Sequence, residues 1–384
     1  MNSKSISTNF MWRLFERFGA QIVTFIVTII LSRILDPEVY GTIALIEVII
    51  GILTVFVDSG LGASLIQKKD ADDLDYSTIF YFNLLCSTVI YLIVFLVSPL
   101  VAKYYNNESI AVYLRVLSLI LIIYGIKNIQ IAYVSKHMIF KRFFYATLIG
   151  TILSAIIGIA LAYAGKGIWA LIFQTLSNAF FDTCILWITV KWRPKAMFSF
   201  QRLKGLFSYG WKILLSSFIN TLYGNIRSLI IGKMYTSSDL AFYNKGESMP
   251  KLFVGNIDSS LNSVLFPSFS KIQDDLTQLK STMRKSMQVC IYIIAPMVIG
   301  ISAVAEPLIR VLFTEKWLPA VPYLRIFCIT YMFYPLHTAN LNAINAIGRS
   351  DIFLKLEIIK KIVGLIALAS TMWFGVIAMA YSLL

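Results

Sequence analysis

The sequence predicts an all-α, polytopic membrane protein of two six-helix lobes, related by an axis along the membrane normal, with the twelfth helix truncated. Three observations carry this reading: apolar runs of membrane-crossing length, basic residues gathered in every second loop, and an internal repeat. Of the 384 residues, 58% are hydrophobic and only 14% charged. A soluble domain has about 45–50% apolar and about 25% charged residues, so this composition is spent on spans rather than on one buried core.

About 20 residues of helix cross the hydrocarbon core. On that ruler the spans are approximately 14–35, 40–66, 78–101, 112–134, 143–164, 167–190, 207–235, 240–266, 286–306, 321–346 and 355–374, with a twelfth beginning near Val376. The first apolar run is longer than a signal-peptide core and no A-x-A site follows it, so the first helix is expected to stay.

Loop charge sets the orientation. Segments 67–77, 135–142, 191–206, 267–285 and 347–355 hold sixteen Lys and Arg, whereas the intervening loops hold Lys103, Lys166, Arg310 and Lys316. The basic set, and with it the N-terminus, is expected on the cytoplasmic side of a bacterial plasma membrane. The net charge of +14 therefore reflects topology, and nucleic acid is not an expected partner. The acidic run around Asp70–Asp75, beside Lys68 and Lys69, reads as a solvated loop.

Residues 58–65 read DSGLGASL and residues 258–265 read DSSLNSVL. Glu47 and Glu247 keep the same offset, as do Arg33 and Lys233, and YLRVL at Tyr113–Leu117 returns as YLRIF at Tyr323–Phe327. This register divides the chain into a lobe at 1–195 and a second at 196–384. An even number of spans per unit makes both lobes enter from the same side. The start of span 6 (Gly167–Leu171) matches Gly375–Met379, so the chain is expected to end inside its twelfth span.

Ionisable groups inside spans are costly and face a partner or a cavity. Glu16 and Arg17, near the start of span 1, either snorkel or line such a cavity. Asp58 and Asp258, and likewise Glu47 and Glu247, repeat between halves and are candidates for ion coupling or interhelical bonds. Arg227, in TLYGNIRSLIIGK, has no acid in its own helix, and Lys127 lies in YGIKNIQ. Both are candidates to bind an anion, the alternative being a salt bridge to another helix, for Arg227 with an acid such as Asp182 or Glu47. Lys233, nearer the outer end, is a weaker member of that basic set.

Enzyme chemistry finds no footing. Walker A, G-x-S-x-G and zinc-type spacings are absent, and the two histidines, His137 and His337, are far apart in sequence. Cys86, Cys184, Cys290 and Cys328 lie singly in apolar runs and read as small hydrophobes. No metal or cofactor is expected. Gly51, Pro99, Gly224, Pro250, Pro296 and Pro335 are places where helices kink or loosen.

Residues 31–67, LSRILDPEVYGTIALIEVIIGILTVFVDSGLGASLIQ, strongly resemble the polysaccharide-export branch of the multidrug/oligosaccharidyl-lipid/polysaccharide exporters, often called Wzx-type flippases. The shared elements are R-x-L-x-P-x-x-Y-G (Arg33, Leu35, Pro37, Tyr40, Gly41), then D-x-G-L (Asp58, Gly60, Leu61) and L-I-Q (Leu65, Ile66, Gln67). GKGIWALI, opening span 6, fits the same pattern. The resemblance implies two lobes rocking about a central cavity. It implies a polyprenyl-diphosphate-linked oligosaccharide as substrate (an O-antigen, capsule or exopolysaccharide unit), with membrane lipids, a polymerase and export machinery as partners. Basic groups in the cavity would meet the diphosphate. A cation-coupled multidrug antiporter of the same superfamily is the alternative, which Glu47 or Asp58 would serve. A membrane glycosyltransferase would require a large outer loop, and the longest here has about 15 residues.

Overall fold

The computed structural model describes residues 3–384, without the side chains of 3–11, 13–18, 263 and 350. The described chain is mostly helical, with no strand, and folds as two compact units, Met1–Lys233 and Met234–Leu384. The first holds α1 (Ser3–Ile34), α2 (Pro37–Asp58), α3 (Leu61–Gln67), α4 (Asp73–Tyr104), α5 (Ser109–Leu117), α6 (Leu119–Lys136), α7 (Lys141–Tyr163), α8 (Ile168–Thr189) and α9 (Phe200–Met234). The second holds α10 (Ser237–Ser270), α11 (Leu276–Ala303), α12 (Ala305–Phe313), α13 (Val321–Met332), α14 (Tyr334–Ala346), α15 (Ser350–Thr371) and α16 (Val376–Tyr381), with a 3-10 turn at Glu315–Ala320.

Six described stretches are long and apolar enough to cross a membrane by length and composition: Pro37–Asp58, Asp73–Tyr104, Ser109–Lys136, Lys141–Tyr163, Ile168–Thr189 and Leu276–Ala303. Their surfaces agree with a lipid surround. On α4, Leu85, Leu92, Leu96 and Leu100 face outward, while Ser77, Thr78, Asn83, Ser87 and Ser98 are buried. Apolar outside and polar inside reverses the soluble pattern: Ser77 and Thr78 accept from backbone N–H groups between α8 and α9, Ser87 and Ser98 donate to carbonyls of their own helix, and the Asn83 amide has no hydrogen bond among the described residues. Small residues bring the helices close: a methyl added at Gly150 on α7 would lie 3.1 Å from the backbone nitrogen of Asp182 on α8, and one at Gly158 2.9 Å from Gln174.

Backbone chemistry explains the breaks. Pro37 starts α2 where its missing N–H costs nothing. The same helix stops at Asp58 because Ser59 and Gly60 both turn left-handed, at φ 53° and 66°, before α3 resumes. The repeat-related stretch differs by one decisive residue: Ser260 replaces Gly60, and α10 runs unbroken through Asp258–Ser260. Pro99 inside α4 cannot donate to the carbonyl of Phe95. Arg115 of α5 takes over, its Nε donating to Phe95 O at 3.1 Å and to Ser98 Oγ at 2.7 Å.

The segment between α8 and α9 is tied to the start of α4. The backbone N–H of Lys195 donates to Ser77 Oγ (3.0 Å) and that of Ser199 to Thr78 Oγ1 (3.1 Å). Trp192 Nε1 donates to Asp73 (3.0 Å), and Lys195 pairs with the same carboxylate (2.6 Å). Here the expectation of a solvated acidic loop is overturned at Asp75. That side chain is fully buried, paired with Lys68 at 2.5 Å and Arg202 at 3.6 Å, and closes a capping box with Asp72. The Asp75 N–H holds the Asp72 carboxyl below the usual carboxylate range.

Helix α9 runs antiparallel along α2 and α3. Leu206 O accepts from Ser64 Oγ (3.1 Å), Gly210 abuts Gly60, the Phe218 ring lies 5.1 Å from that of Phe56, and Gly232 meets Leu45. This packing draws α9 into the first compact unit. The repeat-based lobes divide the sequence on other grounds and place α9 with the second.

In the second unit α10 packs against α13 and α14. Gly246 allows contact with Tyr323, a methyl there lying 2.6 Å from its Cβ, and Tyr243, Phe327 and Tyr331 form an aromatic core beside it. Lys245 is buried with its ammonium over the rings of Phe313 (4.3 Å) and Trp317 (4.7 Å). All four cysteines are free.

Candidate functional site

Polar side chains gather inside the first unit where α2, α6, α7 and α8 meet. On α6, Lys127 points to α8 and forms an ion pair with Asp182, the two side chains being 15% and 10% exposed. Lys127 therefore takes the interhelical salt-bridge alternative, and its charge is balanced within the unit. Tyr124, one turn before Lys127, lies near both Asp182 and Glu47. Glu47 on α2 accepts from Thr175 Oγ1 of α8 at 3.4 Å. Asn178, one turn further along α8, donates to Ser154 (3.2 Å) and Thr151 (3.4 Å) of α7. One oxygen of Asp182 makes no hydrogen bond.

Arg227 is different. It lies on α9 between the Leu45–Gly232 and Phe56–Phe218 contacts, and so against the half of α2 that carries Glu47. It is 6% exposed, its Nε has no hydrogen bond, and among the described residues no carboxylate forms an ion pair with it. Neither Asp182, held by Lys127, nor Glu47 neutralises it. A buried guanidinium is stabilised by an anion or by water, and its planar fork suits two oxygens of one phosphate.

The remaining candidates lie elsewhere. Lys233 sits at the end of α9 with its ammonium on the carbonyl and over the ring of Tyr104, away from Lys127. Asp58 is exposed at the α2–α3 break. Glu247 accepts from Tyr331 (2.8 Å) and pairs with Lys251 (3.3 Å), and Asp258 is bonded to Thr338; both belong to the second unit. The side chains of Glu16 and Arg17 lie outside the described residues. Among the described residues no group of three or more His, Cys, Asp or Glu is placed to hold a metal ion.

The pairing of Asp182 with Lys127 and the places of Thr175 and Asn178 were not drawn from the sequence, yet a signal was there. Positions 175, 178 and 182 share one face of a helix, as do 124 and 127 on α6 and 151 and 154 on α7. The Lys127–Asp182 pair has a testable consequence. Lys127→Met leaves a carboxylate in the span without its cation and is expected to cost about 3–5 kcal/mol. Melting of detergent-solubilised protein should drop for Lys127→Met and recover in Lys127→Met/Asp182→Asn. A double variant no more stable than the single one contradicts the pair.

A family model described as "Polysaccharide biosynthesis protein" matches residues 30–322. The succinoglycan biosynthesis transport protein ExoT of Rhizobium meliloti is 25% identical over 330 residues, covering 86% of this chain and 67% of that protein. The teichuronic acid biosynthesis protein TuaB of Bacillus subtilis is 27% identical over 316 residues, covering 78% and 62%. The chain thus spans about two thirds of the length of these curated relatives. Among solved structures, the lipid II flippase MurJ in an inward closed conformation is similar with a TM-score of 0.76 at 13% identity, covering 97% of this chain and 84% of that one. At that identity the likeness is one of fold.

Proposed function

The chain belongs to the polysaccharide biosynthesis protein family, and from that premise we propose that it moves a polyprenyl-diphosphate-linked oligosaccharide across the membrane by alternating access. The observation that carries this reading is Arg227, a buried cation with no carboxylate partner among the described residues. An anionic cargo supplies the missing charge; a cationic drug would add to the excess. The saccharide has hydrogen-bonding partners in Thr175, Asn178 and Glu47, while the polyprenyl tail stays in the lipid that the apolar outer faces require. Lys127 is the second basic candidate, its charge already balanced by Asp182. Glu47, Asp58, Glu247 and Asp258 are the carboxylates available for ion coupling.

No bond to the sugar is made or broken in this scheme. The cargo is an O-antigen, capsule or exopolysaccharide unit, handed on to a polymerase and export machinery. The test is purified protein in vesicles with a fluorescent polyprenyl-diphosphate saccharide: the probe should change leaflet without gaining a glycosidic bond. New glycosidic product, or no movement at all, contradicts the reading.

The working orientation puts the N-terminus and loop 191–206 on the cytoplasmic side of the bacterial plasma membrane, because sixteen basic residues lie in that set of loops. A membrane-impermeant thiol reagent applied to cells should then label a cysteine placed at Asn106 and spare one at Lys195. The reverse pattern overturns the orientation.

A further inference from the structure

A second cluster of titratable groups lies in the other compact unit, at the contact between α14 and α15. Lys360 on α15 forms an ion pair with Glu357 one turn before it, and its Nζ lies 3.1 Å from Nε2 of His337 on α14. Glu357 Oε1 is in turn 3.7 Å from the same His337 Nε2. One ring nitrogen thus faces both an ammonium and a carboxylate.

The chemistry of that contact is restrictive. A charged ammonium has only donors, so Nε2 must offer its lone pair and the imidazole carries its single proton on Nδ1. Protonating Nε2 converts this contact into donor against donor and cation against cation, and it cannot persist. The new N–H has an acceptor at hand in Glu357, which Lys360 then shares or leaves. The same three side chains therefore have two pairings, Lys360 on His337 or His337 on Glu357, and a single proton selects between them. A metal cation does not suit the place, because its one close carboxylate already carries an ammonium.

The surroundings support a site that can take up and release a proton. The side chains of His337 and Lys360 are each 45% exposed and that of Glu357 21%, so none of the three is locked in a packed core. The other titratable groups around His337 are Asp258 on α10, which bonds the neighbouring Thr338, and Cys290 of α11 beyond it. On the α13 side, Tyr331 stacks on Tyr334 at 4.8 Å. One oxygen of Asp258 is buried without a hydrogen bond, so a negative charge or an unused acceptor lies behind the imidazole. Neither His137, which stacks on Tyr133 and whose Nδ1 donates to the carbonyl of that residue, nor any other part of the described chain repeats this arrangement.

We propose that His337, Lys360 and Glu357 form a proton-binding site whose loading re-pairs the α14–α15 contact. It stands independently of what the chain transports. The chain has only two histidines, so nitrogen-15 histidine labelling of the full chain in lipid nanodiscs yields two ring systems, with His137 identified by its loss in His137→Gln. At high pH the His337 signals should show an unprotonated Nε2. Removing the cation in Lys360→Met should raise the His337 midpoint, and removing the anion in Glu357→Gln should lower it, each by about one pH unit or more. Spin labels at Asn340 on α14 and Leu354 on α15 should report a distance that changes with the same midpoint and no longer changes in His337→Gln. Midpoints indifferent to both substitutions, or a distance constant through the His337 titration, overturn the proposal. Neither readout uses a transported lipid, so failure here leaves the transport reading standing, and failure of transport leaves this one standing.

Discussion

Arg227→Ala is expected to abolish movement of a labelled polyprenyl-diphosphate saccharide in vesicles while the protein remains folded and inserted. Losing one partner of a desolvated charge contact costs about 2–5 kcal/mol, roughly 30-fold or more in rate or affinity. The folded state should tolerate the change, because Arg227 has no ion-pair partner among the described residues to strand and its Nε has no hydrogen bond to lose. Arg227→Lys should recover part of the activity, since charge remains but the two-pronged geometry does not. Arg227→Glu should be worse than Ala, placing a carboxylate against a diphosphate. A structural role predicts the opposite ranking: Arg227→Ala would lower expression or melting temperature before it touched transport. Full transport by a well-expressed Arg227→Ala protein removes this residue from the site.

The second large effect is expected at Gly60. Its φ of 66° lies in the left-handed region, and an added methyl would strike the carbonyl oxygen of Gly210 on α9. The conformational cost alone is about 1–2 kcal/mol, and the clash is with backbone, which cannot swing aside. Gly60→Ala should therefore lose monodisperse protein and melt at lower temperature, because it separates α9 from the α2–α3 break. Gly51, in the middle of α2, is a control in the same span. Nothing lies within 4 Å of a methyl there, so Gly51→Ala should match or exceed the parent, alanine being the better helix former. Equal behaviour of the two variants in thermal melts contradicts the packing of α9 described above.

These two residues also show what the sequence could and could not convey. The all-helical, multi-span character was legible, because burial in lipid imposes length and apolarity on its helices; breaks such as that between Met332 and Tyr334 inside one apolar run were not. The interruption of span 2 was half legible: the repeat aligns Asp58-Ser59-Gly60 with Asp258-Ser259-Ser260, and the single Gly marks where the backbone can turn left-handed. The consequence, a seat for Gly210 some 150 residues later, depends on packing that no local pattern encodes. Arg227 and Lys127 looked alike as unaccompanied cations within their helices. They part company only in three dimensions, where α8 brings Asp182 to Lys127 while, among the described residues, no carboxylate pairs with Arg227. Asp75 misled for a similar reason. A run of acids beside two lysines reads as solvated, but Arg202, 127 positions away, returns to bury one of them.

The central claim is that Arg227 meets the diphosphate of a lipid-linked saccharide. Its most direct test is binding of matched fluorescent probes to nanodisc-embedded protein, one a polyprenyl diphosphate saccharide and the other its monophosphate counterpart. The parent protein should prefer the diphosphate by about tenfold or more, the worth of one added charge-assisted hydrogen bond at roughly 1.5–3 kcal/mol. In Arg227→Lys that preference should shrink, and in Arg227→Ala it should vanish, with both probes binding as weakly as the monophosphate does. A diphosphate preference that survives intact in Arg227→Ala would place the anion site elsewhere in the protein.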